Sequence, residues 1–586
     1  MQIVKIASEG PFAPDNGNAD LAVFGLTVKP RAFFLTLALL VIVSLAIASG
    51  GVYWVLAQSP LSLLSGGVTR SPLATAFLPK QTTALVSLLV SPNQLEAFSQ
   101  WIAQPANRRQ SQREIREFEQ SLLAKTGLNY RREVQPWLGE EVTLAVTSLD
   151  YDRDSTNGSQ PGYLLVVETQ DPQLSKEFLQ LSYTESAIAG DVELVSETYQ
   201  GVNITYKRPL TPVPNNQFLA QAVVGNYVLF ANHPKVVREA LNTAQAPELS
   251  LGQTSAYQSA LKTIDQPRIG LLYANFPALS AWLSQQPKPT QPDITQTLTV
   301  TLALKAQGLL AQTALIGVTG EQSPVLNQPV SLLTHIPEQS LLTAASRDLN
   351  QFWQQVETAL APQSPLQGLV QGFITQLQTP LGLDFAHDIF PWVQGEYALA
   401  FLPPEKGRSS DWIFLAERLP NAEVDTAIAH LDDLARQQGY TPQTVKLGEQ
   451  EVTAWTKVVA TAQNQISRLE TSVAGVHGVI QQTQVLASSL EAFSQVLLAD
   501  QHPLTTTPKF QQAIAALPLT NNGYFYVDWN ASEPLLQQQF PFVQVLELGA
   551  KPLFKNLRSL TLSNEGSING IRRNSLYINL GVREPA

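Results

Sequence analysis

The sequence predicts an α+β fold: two tandem homologous units with mainly antiparallel sheets and packed helices, preceded by one transmembrane helix. Three observations predict it. A long uncharged apolar run lies near the N-terminus, a set of sequence landmarks recurs in the second half, and the hydrophobic period alternates between about 2 and about 3.6 within each half. A chain of 586 residues also exceeds the size at which one hydrophobic core stops growing, so at least two domains are expected.

The composition indicates a globular protein that does not bind nucleic acid. Hydrophobic residues make up 44% of the chain and charged residues 15%, so apolar burial can outweigh the conformational entropy of the chain. The net charge is −11, and the sequence holds no sizeable cluster of Lys and Arg, which the binding of phosphates requires. Because there is no cysteine, disulfides and thiolate sites are excluded.

Residues 32–57 form the predicted transmembrane helix. No charged residue interrupts this run, and about 20 apolar residues suffice to cross a bilayer. Lys29 and Arg31 precede the run and the next cation is Arg70, so the excess of positive charge lies on the N-terminal side. The positive-inside rule therefore predicts a cytoplasmic tail over residues 1–31 and places the bulk of the chain outside the cytoplasm, in the periplasm or a thylakoid lumen.

A cleaved signal peptide is the alternative to this single-pass anchor. Ala46-Ile47-Ala48 resembles a processing site, although the apolar run continues past it and the leader would be unusually long. Residues 58–76 contain Pro, Ser and Gly, and we interpret them as a short tether between the anchor and the folded units.

An internal repeat is the most informative feature of the sequence. The landmarks Gly127-Leu128-Asn129-Tyr130, Pro136-Trp137-Leu138 and Glu141 recur 255 residues later as Gly382-Leu383-Asp384-Phe385, Pro391-Trp392-Val393 and Glu396. A second block, at 256–261, recurs at 509–514. Because the landmarks keep their order, we interpret the chain as a duplication, with repeat unit 1 at residues 77–325 and repeat unit 2 at residues 330–586.

The hydrophobic period separates strands from helices within unit 1. One helix is predicted to begin at Asp171-Pro172, because Asp caps helices and Pro suits the first turn. The other helices are predicted at 92–125, 234–243 and 255–264. The strands are predicted at 83–90, 142–148, 163–168, 192–197, 202–207, 218–231, 269–274, 297–306 and 309–316. Short polar connections favour antiparallel neighbours, and unit 2 repeats the scheme, ending at 559–562 and 575–582.

The whole chain resembles a family of uncharacterised cyanobacterial membrane-anchored proteins that is defined only as a domain of unknown function. The resemblance rests on the anchor, on the duplicated block Gly-Leu-[Asn/Asp]-[Tyr/Phe] with Pro-Trp-[Leu/Val]-x-x-Glu, and on the passage from Tyr227 to Pro234. It implies a photosynthetic bacterial host. No activity is known for the family, so no catalytic residue is implied.

Local catalytic signatures are missing from the sequence. It contains no G-x-S-x-G elbow, no H-E-x-x-H, no P-loop and no G-x-G-x-x-G. We therefore predict a protein that is not an enzyme and needs no cofactor. An extracytoplasmic hydrolase is the remaining catalytic hypothesis, and it requires Ser, His and an acid from distant segments to converge.

Two acidic segments resemble metal sites without matching one. Asp384, His387 and Asp388 lie within one turn of chain, but the first repeat has Asn129, Arg132 and Glu133 there. The loop that carries Asp150, Asp152, Asp154 and Asn157 alternates carboxylates as calcium loops do, yet it has Ser155 where the EF-hand needs Gly and Pro161 where it needs Glu. We interpret both segments as structural and predict no metal.

The repeated aromatic–acid pair supplies the candidate interaction surface: Trp137 and Glu141 in unit 1, and Trp392 and Glu396 in unit 2. An aromatic residue beside a carboxylate suits a ligand or partner surface. The other interpretation is that each Pro-Trp pair is a packing anchor at the start of a strand.

The sequence favours a membrane-anchored binding or scaffold protein that displays two related domains to another membrane or envelope protein. Two linked faces raise the effective concentration of a second binding event. The alternative is a carrier of an apolar ligand, such as a lipid or pigment, held against a sheet or between the units.

Overall fold

The computed structural model describes residues 66–91, 128–154, 158, 160–188, 190, 192–210, 217–264, 266–283, 296–305, 307–318, 326–351, 384–404, 410–420, 423–463, 466–539 and 557–580. The predicted membrane span 32–57 and the predicted helix 92–125 lie outside these residues. Within the described stretches, no helix has both the length and the apolar character needed to cross a membrane.

Strands dominate the described chain. The first ten are β1 (Ala84–Leu88), β2 (Leu138–Ser148), β3 (Gly162–Thr169), β4 (Val192–Tyr199), β5 (Val202–Pro209), β6 (Ala220–Val224), β7 (Tyr227–Ala231), β8 (Gly270–Asn275), β9 (Thr297–Lys305) and β10 (Gly308–Ile316). The next ten are β11 (Leu342–Arg347), β12 (Glu396–Phe401), β13 (Trp412–Glu417), β14 (Thr441–Leu447), β15 (Gln450–Gln463), β16 (Ile466–Ile480), β17 (Thr483–Ala487), β18 (Tyr524–Asp528), β19 (Ser559–Ile568) and β20 (Ile571–Asn579).

The helices lie between these strands. They are α1 (Pro172–Ile188), α2 (Pro234–Gln245), α3 (Ser255–Leu261), α4 (Phe276–Leu283), α5 (Phe385–Asp388), α6 (Val424–Gln437), α7 (Leu490–Leu498), α8 (Pro508–Ala515) and α9 (Trp529–Gln539). Short 3₁₀ helices include Leu73–Phe77 and Ser331–His335. The mixed α+β class with antiparallel strands is therefore confirmed.

All twenty described strands belong to one continuous antiparallel sheet. Nineteen pairings join them, one fewer than a closed ring would need, and β4 and β14 each pair with a single neighbour in the described chain. The strand order across the sheet is β4-β5-β6-β7-β3-β2-β1-β8-β9-β10-β20-β19-β18-β11-β12-β13-β17-β16-β15-β14.

The middle of the sheet is the pairing of β10 with β20. Nine residues of each strand are in register, from Gly308 opposite Asn579 to Ile316 opposite Ile571. Outward from this junction, both sides have the same succession of strands: β9, β8, β1, β2 and β3 on one side correspond to β19, β18, β11, β12 and β13 on the other. The sheet therefore connects the N-terminal and C-terminal halves through main-chain hydrogen bonds.

One hydrophobic cluster spans this junction. It contains Leu302 of β9, Leu309 of β10, Leu576 of β20 and Val527 of β18, and Trp529 of α9 packs in it. Burying each such side chain contributes about 1.5–3 kcal/mol relative to exposure. The two halves thus share apolar packing as well as hydrogen bonds.

Local sequence explains several element boundaries. The carboxylate of Asp171 accepts the backbone N–H groups of Gln173 and Leu174 at 3.0 and 2.9 Å, which confirms the predicted start of α1. The predicted strand 218–231 is instead two strands, because Gly225 with φ of 54° makes a tight turn between β6 and β7.

The described part of the predicted tether is packed against the sheet. Val68 forms a β-bridge with Arg268, whose guanidinium donates to the carbonyl oxygens of Thr69 and Arg70 at 3.1 Å. Gly67 has φ of 127°, and a Cβ atom there would overlap the carbonyl group of Arg268. Residues 68–70 of the predicted tether therefore contact the folded part of the chain directly.

Candidate functional site

The two predicted tryptophans lie in the hydrophobic core. Trp137 is fully buried, and its indole N–H donates to the carbonyl oxygen of Glu133. Trp392 is buried too, and its indole N–H donates to the carbonyl oxygen of Asp388 at 3.0 Å. Each acceptor lies four residues before its tryptophan, so both rings close the short helical turn that precedes a strand. This placement agrees with the packing-anchor interpretation of the Pro-Trp pair.

Glu141 is buried beneath the 3₁₀ helix Leu73–Phe77, with only 2% of its surface exposed. Its Oε2 accepts the backbone N–H of Leu73 at 2.8 Å, and its Oε1 accepts that of Ala74 at 3.0 Å. The hydroxyl of Thr143 donates to Oε1 at 2.9 Å. The first N–H groups of a helix have no partner within the helix, so this carboxylate acts as its cap.

Glu396 makes the matching contact in the C-terminal half. Its Oε2 accepts the backbone N–H of Ser331 at 2.8 Å and the Ser331 hydroxyl at 2.6 Å, at the start of the 3₁₀ helix Ser331–His335. Glu396 is half-buried, whereas Glu141 is buried. Of the four residues predicted as an interaction surface, Glu396 is thus the one with substantial exposure.

Sequence reasoning missed a second glutamate in each half. Oε2 of Glu168 accepts the backbone N–H of Glu141 at 3.0 Å, and Oε2 of Glu417 accepts that of Glu396 at 2.9 Å. Glu168 and Glu417 each lie near the end of the second strand after the Pro-Trp block, β3 and β13. A glutamate at the same place in both halves is the signal that would have identified them.

The Glu141 carboxyl group lies in an unusual electrostatic environment. Burial raises its pKa above the ordinary value of 4.5, although its three hydrogen bonds act in the opposite direction. Burial, with the nearby carboxylates of Glu141 and Glu168, also raises the pKa of Tyr227 to about 12. Because two backbone N–H groups and a hydroxyl hold the Glu141 carboxylate in place, the arrangement supports a structural role for it.

A buried chain of polar side chains distinguishes the N-terminal half. The Thr143 hydroxyl has one hydrogen, which it donates to Glu141. The Ser87 hydroxyl, 2.8 Å from Thr143 Oγ1, therefore donates to it. Ser87 and Thr143 are cross-strand partners. Where β11 and β12 pair in the C-terminal half, the buried partners are Ala345 and Ala398. The two halves therefore differ in polarity beneath the capped helix.

The metal-like segment of the second half makes the same caps as its counterpart. Asp388 Oδ2 accepts the backbone N–H of Asp384 at 2.7 Å, as Glu133 accepts that of Asn129. His387 Nδ1 lies 2.8 Å from Asp384 Oδ2. No set of three or more candidate ligands converges on a metal position anywhere in the described chain.

The acidic loop after β2 makes internal turns. Asp152 Oδ1 accepts the backbone N–H of Asp154 at 3.0 Å, and Asp150 Oδ1 accepts that of Gln160 at 3.4 Å. Asn157 lies outside the described residues. These turns agree with the interpretation of this loop as structural.

A second histidine–carboxylate contact lies beneath α6. Asp432 Oδ1 accepts the indole N–H of Trp455 at 2.7 Å and lies 3.1 Å from His477 Nε2. Burial lowers the pKa of His477, although the Asp432 carboxylate acts against this shift. These residues come from one helix and two strands, so their distance in sequence hid the contact.

A shallow cleft lies on the outer side of the 3₁₀ helix that Glu141 caps. Its volume is about 290 Å³, and its lining is uncharged, including Leu73, Thr75, Thr243 and Gly252. Such a lining offers apolar contact and a few hydroxyl groups, without an ionisable group for catalysis.

One face of the sheet carries partly exposed apolar side chains, here called the apolar face: Val86, Leu144, Leu399, Phe525 and Leu562. Directly paired residues share a face, and Leu144 pairs with Val86 while Phe525 pairs with Leu562. Leu144 is 44% exposed and Phe525 is 41% exposed. Val86 and Leu562 pack against one hydrophobic cluster and Leu399 packs against another, so Leu144 and Phe525 are the large exposed side chains of the apolar face.

Comparison with solved structures gives weak similarity. Two crystal forms of TP0453, forms I and III, match with 11% and 12% sequence identity and TM-scores of 0.24 and 0.23. Each match covers 44% of this chain, and 82% or 88% of the other. These scores are too low to support an argument about fold or function.

No curated protein matches the sequence. One family model, described as "Protein of unknown function (DUF3352)", matches residues 37–580. That match extends over most of the described sheet and over both Pro-Trp blocks. The chain therefore belongs to the DUF3352 family of proteins of unknown function.

Proposed function

We propose that the chain is a non-catalytic binding or scaffold protein, anchored in a membrane by residues 32–57 and displaying two homologous domains to another membrane or envelope protein. In this proposal the folded part lies outside the cytoplasm, in the periplasm or thylakoid lumen of a cyanobacterium. The observation that carries the proposal is the matching construction of the two halves of the sheet.

Equivalent side-chain contacts support the origin of these halves by duplication. Trp137 and Trp392 bond to carbonyl oxygens four residues earlier, and Glu141 and Glu396 cap 3₁₀ helices. The edge contacts Phe510–Tyr526 and Tyr257–Tyr273 lie at equivalent positions, with ring centroids 5.1 and 4.9 Å apart. Such detail favours common ancestry, because a shared fold alone does not require the same hydrogen bonds.

The rigid junction between β10 and β20 favours a scaffold over two independent binding modules. Nine paired residues fix the halves relative to each other. Two related surfaces held at a fixed separation can bind a partner that carries two matching sites. Binding at the first site then raises the effective concentration for binding at the second.

Gentle purification from the native membrane through a C-terminal tag tests this proposal. Mass spectrometry of proteins and of extracted small molecules identifies what co-purifies. We expect one protein in stoichiometric amount and in every preparation. Recovery of the chain alone, with an enriched lipid or pigment, would overturn the scaffold proposal in favour of a carrier.

The carrier of an apolar ligand is the second candidate, and the apolar face favours it. Leu144 and Phe525 are large apolar side chains that remain 44% and 41% exposed on the sheet. An acyl chain or pigment bound at either side chain would remove apolar surface from water.

Substitution on the apolar face separates the two candidates. The double variant Leu144→Gln with Phe525→Gln should lose a bound apolar ligand, whereas the control Leu181→Gln, on the exposed side of α1, should keep it. If the double variant and the control retain equal amounts of lipid, the carrier hypothesis is wrong.

A further inference from the structure

The two longest paired strands extend beyond the rest of the sheet. β14 pairs with β15 over residues 450–456, and β17 pairs with β16 over residues 476–480. From Lys457 opposite Ser472 to Gln463 opposite Ile466, β15 and β16 pair with each other, and no other described strand flanks them. We call residues 457–463 and 466–472 the projecting ribbon.

The base of the projecting ribbon is fixed to the body of the protein. The register shifts between Trp455 and Thr456, as in a β-bulge, which bends and twists a strand. The Thr456 hydroxyl donates to the carbonyl of Thr441 at 3.1 Å, and Lys457 Nζ donates to that of Gln438 at 3.2 Å. Seven residues at about 3.3 Å each give a ribbon of roughly 20 Å aimed by this base.

The N-terminal half has no comparable projection in its described residues. There β4 flanks β5 along its whole length, from Val192 opposite Pro209 to Tyr199 opposite Val202. Among the residues that the structure describes, the projecting ribbon is therefore a feature of the C-terminal half.

The outer edge of β15 lacks the features that usually protect an edge strand. Residues 458–463 read Val-Val-Ala-Thr-Ala-Gln, without charge, proline or glycine, and Val458 is 66% exposed. Natural edge strands are commonly protected by charges. Arg468 and Glu470 are in β16, and β4 at the far end of the sheet contains Glu193 and Glu197. The edge of β15 is thus a template for pairing with another strand.

We propose that the projecting ribbon is a self-association site, at which residues 459–463 pair edge to edge and antiparallel with the same residues of a second copy, so that Thr461 lies opposite Thr461 of that copy. The matching strand is present on every copy, and its lack of charge places no like charges opposite each other. Antiparallel pairing of identical strands is a two-fold, self-complementary contact that closes as a dimer. Two ribbons then form one four-stranded sheet, which relieves the marginal stability of an isolated two-stranded ribbon.

The absence of cysteine from the chain permits a direct test by disulfide formation. The full chain with Thr461→Cys, purified in mild detergent, is treated with a copper–phenanthroline oxidant and run on a non-reducing gel. The control is Ser196→Cys, an exposed position on β4 at the opposite edge of the sheet. We expect a covalent dimer from the ribbon variant and at least tenfold less from the control. Equal yields would overturn the proposal, as would cross-linking in native membranes to a different protein instead of a second copy.

A charge swap tests the same contact without a covalent bond. Ala460→Lys and Ala460→Glu should each weaken self-association at least tenfold in light scattering, and an equimolar mixture should restore it. Failure of the mixture to restore the dimer would count against pairing between these residues. A shortened chain lacking 458–463 and 466–471 should keep the urea midpoint of the parent and be monomeric, and dimerisation of this variant would also overturn the proposal.

Discussion

The carboxylate of Glu141 accepts the backbone N–H of Leu73 across 68 residues of sequence, and through this bond a buried glutamate fixes the start of a helix. Its other oxygen accepts the N–H of Ala74 and the hydroxyl of Thr143. Glu396 caps the equivalent helix differently, since both bonds from Ser331 go to a single oxygen. This difference gives the two glutamates different tolerance to substitution.

Glu141→Gln should destabilise the protein, whereas Glu396→Gln should be nearly neutral. A glutamine at 141 turns one of two accepting oxygens into an N–H donor and leaves a buried backbone N–H unsatisfied, at a cost of about 2 kcal/mol. At position 396 the glutamine carbonyl oxygen can accept both hydrogen bonds from Ser331, so we expect the free energy of unfolding to fall by about 0.5 kcal/mol or less. Urea midpoints of the two variants check this, and equal losses would contradict it.

The pH dependence of stability should report on Glu141. Burial raises its folded pKa above 4.5, so its contribution to stability is fully present below pH 4.5 and is lost as pH rises through the folded pKa. Glu141→Gln removes this titration. The gap in urea midpoint between the parent and Glu141→Gln should therefore be wider at pH 4 than at pH 7. A gap that widens with rising pH would mean that the hydrogen bonds outweigh burial.

The two tryptophan anchors should be similar in energetic importance. Trp137→Phe and Trp392→Phe each remove an indole N–H that satisfies a backbone carbonyl and leave a cavity beside the smaller ring, for a loss of about 2 kcal/mol. The half-buried Trp412 is the control, and Trp412→Phe should cost less. Thermal unfolding followed by circular dichroism ranks the three variants, and a control that is as damaging as the anchors would refute the assignment.

Sequence patterns predicted what is local in this fold. The Pro-Trp landmarks and the Asp171 cap depend on neighbours within a few residues, so their structural roles follow from the sequence. The partners of Glu141 do not, because Leu73 and Glu168 meet it only after distant strands pair. A glutamate also normally indicates a solvent-exposed position. Only the three-dimensional arrangement identifies backbone N–H groups that make its burial possible.

The order of strands in the sheet was also beyond sequence reasoning. The junction of β10 with β20 joins Ile316 to Ile571, and β10 has the ordinary apolar pattern of any buried strand. Hydrophobic period reveals that a strand exists and which face is buried. It does not encode which of many similar strands will be the neighbour.

The attachment of the N-terminal segment should depend on Gly67. Alanine there would drive its Cβ into the carbonyl group of Arg268, at a backbone φ of 127° that disfavours any side chain. Gly201→Ala is the matched control, because Gly201 has φ of 79° and a Cβ atom added to it would have no neighbour within 4 Å. Gly201→Ala should lower the free energy of unfolding by about 1 kcal/mol, through backbone strain alone.

Gly67→Ala combines backbone strain of this kind with a steric clash against main-chain atoms. We therefore expect it to destabilise the folded state by about 3 kcal/mol in total. Residues 66–70 are bound to the body by the Val68 bridge, by the Arg268 guanidinium and by the Arg70 guanidinium, which donates to the Leu89 carbonyl at 2.9 Å. These contacts are few compared with those of the sheet, so the substitution should release this segment before it unfolds the sheet. Hydrogen exchange should then rise at the Val68 amide, which bonds to the Arg268 carbonyl at 2.9 Å, while amides of β8 stay protected. Unchanged exchange at Val68 would show that this segment does not depend on the close approach at Gly67.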